Sequence, residues 1–289
     1  GVHVLLGLPY IKALATEEQK QRYLPKFVSG EEMWALAMTE PGTGSDLAGM
    51  KSTAKLSEDG THYVLNGAKT FITGGVHADR VIVACRTAPP REDDRRFGIS
   101  LLAVDTKLEG YAVGRKLDKV GLKTSDTAEL SFTDVKVPVE DLLGEENRGF
   151  YYLGQNLPSE RWGIAYGAYA QAAAAVRFAK EYTQQRTVFG KEVASFQNTK
   201  FELAACQAKV DAAQAVADRA LEALDEGELT AAEAASAKLF CTEVAAEVID
   251  RCLQLHGGYG FMNEYPIARL YSDNRVNRIY GGTNEVMKS

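Results

Sequence analysis

The stretch EDGTHYVLNGAKTFI, Glu58 to Ile72, decides how the first half of the chain is built. It holds two hairpin dipeptides, Asp59-Gly60 and Asn66-Gly67, whose residues tolerate the positive φ that tight hairpin turns require. The runs around them are short and β-rich. Further along, RVIVAC (Arg80 to Cys85) and GISLLAVD (Gly98 to Asp105) are apolar runs suited to buried strands. TAELSFTDVKVP alternates and ends on Pro138. Residues 35–143 therefore read as a β-domain, a sandwich or barrel.

Both flanks read as helix. Residues 1–34 look like the end of an N-terminal helical domain, of which an earlier piece is expected to be missing. Thr16 opens TEEQ, a capping box completed by Gln19. The helix it starts carries Tyr23 and Leu24 and is expected to stop near Pro25. Residues 144–289 read as a helical bundle. In SERWGIAYGAYAQAAAAVRFAKEYTQQR, Trp162, Tyr166, Tyr169, Ala173 and Val176 recur at spacings of three and four. Gly163, Gly167, Ala170 and Ala174 make a face of small residues. A second helix ends at Gly227. A third runs from about Thr230 to Leu255, with Phe240, Val244, Val248 and Cys252 on one face. The fold class is thus α+β multidomain. No strand–helix–strand alternation and no G-x-G-x-x-G occurs, which disfavours a dinucleotide-binding Rossmann domain.

Composition narrows the function classes. A net charge of −6 argues against nucleic acid, whose phosphates reward a basic face, while acidic ligands stay open because local charge matters more than the total. The four cysteines form no C-x-x-C pair and only four histidines exist, so no metal site is expected. The cysteines sit in apolar contexts and read as buried thiols in a reducing compartment. No run reaches the ~18 apolar residues of a membrane span.

Several short motifs admit both a functional and a plain reading. AMTEPGTGSDLAG (Ala37 to Gly49) is a turn between domains, or a loop offering main-chain N–H groups and hydroxyls to a heterocycle or phosphate. KTFITGG (Lys69 to Gly75) is a strand with a tight exit, or an aromatic and a threonine presented to a ligand. QQRTVFGK (Gln184 to Lys191) ends a helix with a basic residue, which the helix dipole alone would favour. LPSERWGIA (Leu157 to Ala165) puts Glu160 near a helix start, as dipole complement or as a carboxylate at the mouth of an apolar pocket. QLHGGYG is a glycine helix stop or a corner where backbone approaches phosphate.

In this order and spacing, AMTEPGTGSD, KTFITGG, QQRTVFGK, QLHGGYGF and RIYGGTNE closely resemble the acyl-CoA dehydrogenase family, over about Leu14 to Lys288. The resemblance implies two helical domains flanking a β-domain, with FAD bound between them. It implies that Leu36, Met38, Thr39, Gly44 and Ser45 line the flavin, Ser45 also meeting substrate. Phe71, Ile72 and Thr73 would pack on the isoalloxazine. Arg186, Phe189, Gln197, Gln254, Leu255, Gly257 and Gly258 would hold the adenine and pyrophosphate end, typically across a subunit interface. Thr283, Asn284 and Glu285 would meet the flavin from the final loop.

The family's reaction removes an α-proton and a β-hydride from an acyl-CoA thioester, giving a trans-2-enoyl-CoA. Many members carry the glutamate base in a loop pattern like I-Y-E-G-T; here that position is Gly281. LPSER resembles the helix pattern L-x-x-E-R of the long-chain and isovaleryl-type branch. The base is therefore assigned to Glu160, and Gly281 keeps the N–H that polarises the carbonyl. Tyr151, Pro158, Arg161 and Gly282 join Ser45 and Gly281 as expected substrate contacts. A base working near pH 7 needs a pKa above the usual ~4.3. Burial raises it, while a helix start and Arg161 lower it. The resemblance also implies an electron-transferring flavoprotein as partner, a homotetramer built as a dimer of dimers, and a role in fatty acid β-oxidation. The expected location is cytoplasmic in a bacterium and the mitochondrial matrix in a eukaryote. A flavin oxidase or monooxygenase, or a non-catalytic scaffold, would share this fold.

Overall fold

The computed structural model describes residues 3–289 and divides into two compact units. The first comprises residues up to Lys119 with Lys123–Asn156, and the second Val120–Leu122 with Leu157–Ser289.

The first unit opens with helices α1 (Leu8–Leu14) and α2 (Glu17–Ser29). Thr16 and Gln19 close a reciprocal capping box at the start of α2. Gln19 is also buried and donates to the carbonyls of Glu140 and Leu142, both at 2.8 Å. Contrary to expectation, α2 continues through Pro25 for another turn and ends on Gly30 at φ +77°. Proline removes one intrahelical donor there, but Tyr23 and Phe27 are both buried, and their shared face carries the helix past it. These helices pack on the same unit's sheet: Tyr10, Tyr23, Phe27 and Trp34 cluster with Ile82, Ile99 and Leu101.

The sheet comprises β1 (Trp34–Ala37), β2 (Thr53–Leu56), β3 (His62–Thr73), β4 (Arg80–Arg86), β5 (Ile99–Asp105), β6 (Tyr111–Lys116), β7 (Thr127–Pro138) and β8 (Leu142–Leu143). They pair in the order β6-β7-β3-β2-β4-β5-β8, with β1 parallel beside β4. The apolar runs RVIVAC and GISLLAVD are β4 and β5, buried on both faces and paired from Arg80↔Asp105 to Arg86↔Ile99. Asp59-Gly60 turns β2 into β3, as expected. Asn66-Gly67 does not turn the chain: it lies inside β3, where the register against β7 slips between Leu65 and Gly67. A bulge uses the same residues as a hairpin, because both need unusual φ. At Gly67 the φ is +150°, and a Cβ would run into the side chain of Ser52, just before β2.

The second unit is helical: α3 (Gly149–Gln185), which begins in the first unit, α4 (Gln197–Asp225), α5 (Ala231–Leu255) and α6 (Pro266–Asn274). A short hairpin of β9 (Thr187–Val188) and β10 (Lys191–Glu192) joins α3 to α4. Thr230 and Glu233 form the capping box that starts α5. The core differs by one step from the expected faces. On α3 the fully buried row is Ala165, Ala168, Ala172, Ala175 and Ala179, while Tyr166 is 40% exposed. On α5 Cys241, not Phe240, joins Val244, Val248 and Cys252 inside. Small side chains let the helices pack closely, and the aromatics are left at the margins of the contact. Among the described residues, no helix is long and apolar enough to cross a membrane. All four cysteines are free and buried.

Candidate active site

In the first unit, Glu40 and Thr43 close a tight loop on each other's main chain. Two groups that sequence reading passed over hold it. Lys69 is completely buried and donates to Glu40 Oε1 and to the Met38 carbonyl, both at 2.9 Å. Glu40 in turn accepts from the N–H groups of Lys51 and Ser52. Burial raises the Glu40 carboxyl, but Lys69 and those two donors more than offset it and hold the group below its ordinary range. The pair lies hidden in two motifs already quoted, and a Glu in one with a Lys in the other is the only sequence signal of it. The loop leaves Gly44 and Ser45 exposed and Thr39 half-buried.

The strand beside this loop presents its residues unequally. Phe71 is 67% exposed at φ +59°, within a second register slip between Lys69 and Ile72. Thr73 is half-buried. The Ile72 and Leu36 side chains point into the core, so neither can offer a ligand more than its backbone. Tyr151 is exposed, with Gln155 donating to its hydroxyl.

In the second unit, Pro158, Glu160 and Arg161 lie on α3 and are half-buried. The helix starts at Gly149, so Glu160 sits about three turns in and not at the expected helix start. The dipole term, which fades within the first turn, drops out of its balance. Pro158 lies inside this continuous helix. Arg161 donates from Nε to the Gly281 carbonyl at 3.2 Å. Burial pulls the Arg161 guanidinium below its usual value, and the neighbouring Glu160 carboxylate opposes that.

Gly281 packs on the same face of α3. Its φ is +65°, and an added Cβ would come within 2.5 Å of Ile164 Cδ1. Ile164 follows Glu160 by one helical turn, so the two share a face. The final loop therefore lies against the helix face that carries Glu160. Among the described residues, the Gly281 N–H has no main-chain acceptor. Thr283 and Gly282 are half-buried and Glu285 is exposed. Asn284 departs from expectation: it is buried, and its side chain is taken up by Lys238, Thr242 and Glu243 inside the unit.

A second locus lies at the far end of α3. A cavity of about 530 Å³ is lined by Arg186, Leu255, Gly257 and Gly258 together with Tyr182, His256, Tyr259 and Met262. Tyr182 stacks on His256, ring centroids 4.5 Å apart. Burial lowers the His256 pKa, with the Cys252 carbonyl opposing. Gly257 leaves α5 at φ +57° with open space where a Cβ would point. Phe189, which follows the lining residue Val188, is 95% exposed at φ +51°, and it, Gln197 and Gln254 lie outside the lining. The aromatic wall was not foreseen; the four-residue step from Tyr182 on α3 to Arg186 just past its end was its signal.

Comparison with known proteins identifies the family and the fold. The family profile described as acyl-CoA dehydrogenase, middle domain, matches residues 35–135, and acyl-CoA dehydrogenase, C-terminal domain, matches residues 147–289. The crystal structure of an acyl-CoA dehydrogenase from Geobacillus kaustophilus is 48% identical, with a TM-score of 0.96 over 99% of this chain and 75% of that one. The chain belongs to the acyl-CoA dehydrogenase family. The long-chain specific acyl-CoA dehydrogenase of Sus scrofa mitochondria is 45% identical over 288 residues, and the chain spans 66% of its length, just under two thirds. A Bacillus anthracis acyl-CoA dehydrogenase solved in complex with FAD is 36% identical, with a TM-score of 0.88 over 96% of this chain and 50% of that one.

Proposed function

We propose that the protein dehydrogenates a medium- to long-chain acyl-CoA at the α,β position, using FAD and passing electrons to an electron-transferring flavoprotein. The observation that carries this reading is the packing of Gly281 against the α3 face of Glu160 and Arg161. A glycine cannot take a proton, and a carboxylate one helical face away can.

The residues fit an adenine dinucleotide. The cavity beside Gly257 and Gly258 joins an arginine to aromatic walls, and backbone free of Cβ atoms suits a pyrophosphate. Arg186, Leu255, Gly257 and Gly258 would hold that end, with Phe189, Gln197 and Gln254 contributing from a partner-facing surface. Met38, Thr39, Gly44, Ser45, Phe71 and Thr73 would meet the ring, with Leu36 and Ile72 giving main-chain groups only. Thr283 and Glu285 would add contacts from the final loop. Bound FAD supplies the electron sink that accepts the β-hydrogen as hydride.

The chain's own groups do the rest. Glu160 takes the α-proton, and the electron pair left behind places enolate-like charge on the thioester oxygen. The Gly281 N–H meets that charge; such a donor is worth roughly 10²–10³ in rate. Arg161 fixes the loop through the Gly281 carbonyl and stands beside the base. Pro158, Gly282, Tyr151 and Ser45 would contact substrate. Exposed Phe189 and Phe261, 95% and 84% accessible, suit burial in a homotetramer.

The test is Glu160→Gln in the flavin-loaded enzyme. The variant should stay yellow yet show no bleaching with any acyl-CoA in a chain-length series, while the wild type bleaches most with medium to long chains. Bleaching at the wild-type rate would remove Glu160 from the chemistry, and rapid reoxidation by air would mark an oxidase instead.

A further inference from the structure

Lys238 stands on α5, wholly buried, among side chains of the second unit. Its ammonium donates to the Gly282 carbonyl at 2.5 Å and to Asn284 Oδ1 at 3.1 Å. Among the described residues it makes no ion pair with any carboxylate. An enclosed cation held only by neutral oxygens is costly compared with an apolar side chain of similar size. Packing alone does not call for a charge there.

The surroundings show what the charge organises. Asn284 passes the contact on, donating to Thr242 Oγ1 at 3.0 Å and Glu243 Oε1 at 2.8 Å. Glu243 also accepts from Arg278 Nε, and the Arg278 carbonyl accepts from the Asn284 N–H. This closed circuit joins one face of α5 to both ends of the Gly281–Gly282 turn. The turn has two carbonyls, and each is held by a cation: Gly281 by Arg161, Gly282 by Lys238. Both glycines sit at positive φ, where the backbone has no steric preference of its own to fix its direction. The peptide that carries the Gly281 N–H lies between Tyr280, whose own N–H is bonded to the Val276 carbonyl, and the two pinned peptides after Gly281, so holding both sides restrains where that N–H points.

We propose that Lys238 is a positioning residue for the reaction: by holding the Gly282 carbonyl it aims the Gly281 N–H at the thioester oxygen. The inference rests on the oxyanion role given to Gly281 above. Lys238 touches neither substrate nor cofactor; it acts through the turn. Its ammonium is brought down to about 8 by burial and by the Arg161 charge, with Glu285 and Glu243 opposing, so it carries its proton at neutral pH.

The experiment uses the flavin-loaded enzyme and a trans-2-enoyl-CoA labelled with ¹³C at the thioester carbonyl. Infrared difference spectra read how strongly the bound carbonyl is polarised. In the wild type the stretch should lie below its value in solution. In Lys238→Met, which fills the same space without donors, it should move back toward the solution value. The variant should bind FAD as before, with KM little changed and kcat lowered roughly tenfold to hundredfold, short of losing the donor outright. Lys238→Arg, which keeps donors for both oxygens, should retain most of the shift. A lowered stretch kept in full by Lys238→Met overturns the role of Lys238 and leaves that of Gly281 standing. An unshifted carbonyl in the wild type overturns the reading of Gly281 itself. If Lys238→Met does not fold, loss of the shift in folded Lys238→Arg decides against the proposal.

Discussion

Gly281 is held at φ +65° against Ile164. An L-residue there costs roughly 1–2 kcal/mol in backbone strain alone. Gly281→Ala should therefore lower the thermal midpoint measured by calorimetry. It should also lower kcat, because relief of the strain moves the turn. A midpoint equal to the wild type would mean the turn tolerates a Cβ without cost. Lys238 adds a pH signature. Below about pH 8 folded and unfolded chains both hold its proton. Between there and the ordinary lysine range only the unfolded chain does. Stability should rise with pH across that window, since the unfolded state binds more protons. Denaturant titrations at pH 7 and pH 9.5 should show this rise in the wild type and its loss in Lys238→Met. Glu40 gives the same sign at lower pH: its depressed pKa stabilises the fold above the usual carboxylate range, and that support is lost as pH falls and acid protonates it. Lys69→Met would strand this carboxylate in the interior, at a cost of about 3–5 kcal/mol.

Helix α2 concentrates its dependence in one side chain. Thr16→Ala removes a cap, a loss of about 1 kcal/mol. Gln19→Ala removes the other half of the box and also strands the Glu140 and Leu142 carbonyls. It should cost more, about 1–3 kcal/mol per stranded group at most. Equal losses in urea melts would show that water replaces the glutamine. Elements were legible where one physical signal dominated. Continuous apolar runs marked β4 and β5, and a capping box marked the start of α2. They were illegible where two causes share one residue pattern. Asn66-Gly67 serves a bulge as well as a turn, and an acidic residue suits a helix interior as well as a first turn, which misplaced Glu160 at a terminus. Alanine gave too weak a contrast to show which stripe of α3 is buried. The site was legible as a set of motifs. Lys69, Glu40 and Lys238 were not, because a buried charge looks like a solvated one until its neighbours are known.

For the whole chain, cofactor binding should govern stability. A ligand that binds only the folded state at one hundred times its Kd stabilises by about 2.7 kcal/mol. Melting with increasing FAD should follow that dependence, and an unchanged midpoint would argue against an intact dinucleotide site. Sedimentation should find a tetramer, and Phe189→Asp should shift it toward smaller species. The chain also carries its own reporters of motion. Cys85 belongs to one compact unit, and Cys206, Cys241 and Cys252 to the other, all shielded from solvent. Burial pushes the Cys85 and Cys241 thiols up to about 12, so alkylating reagents must wait for each unit to open. Timed labelling read by peptide mass would then act as a pair of clocks, one per unit, showing which half of the molecule breathes first and which half the bound cofactor quiets.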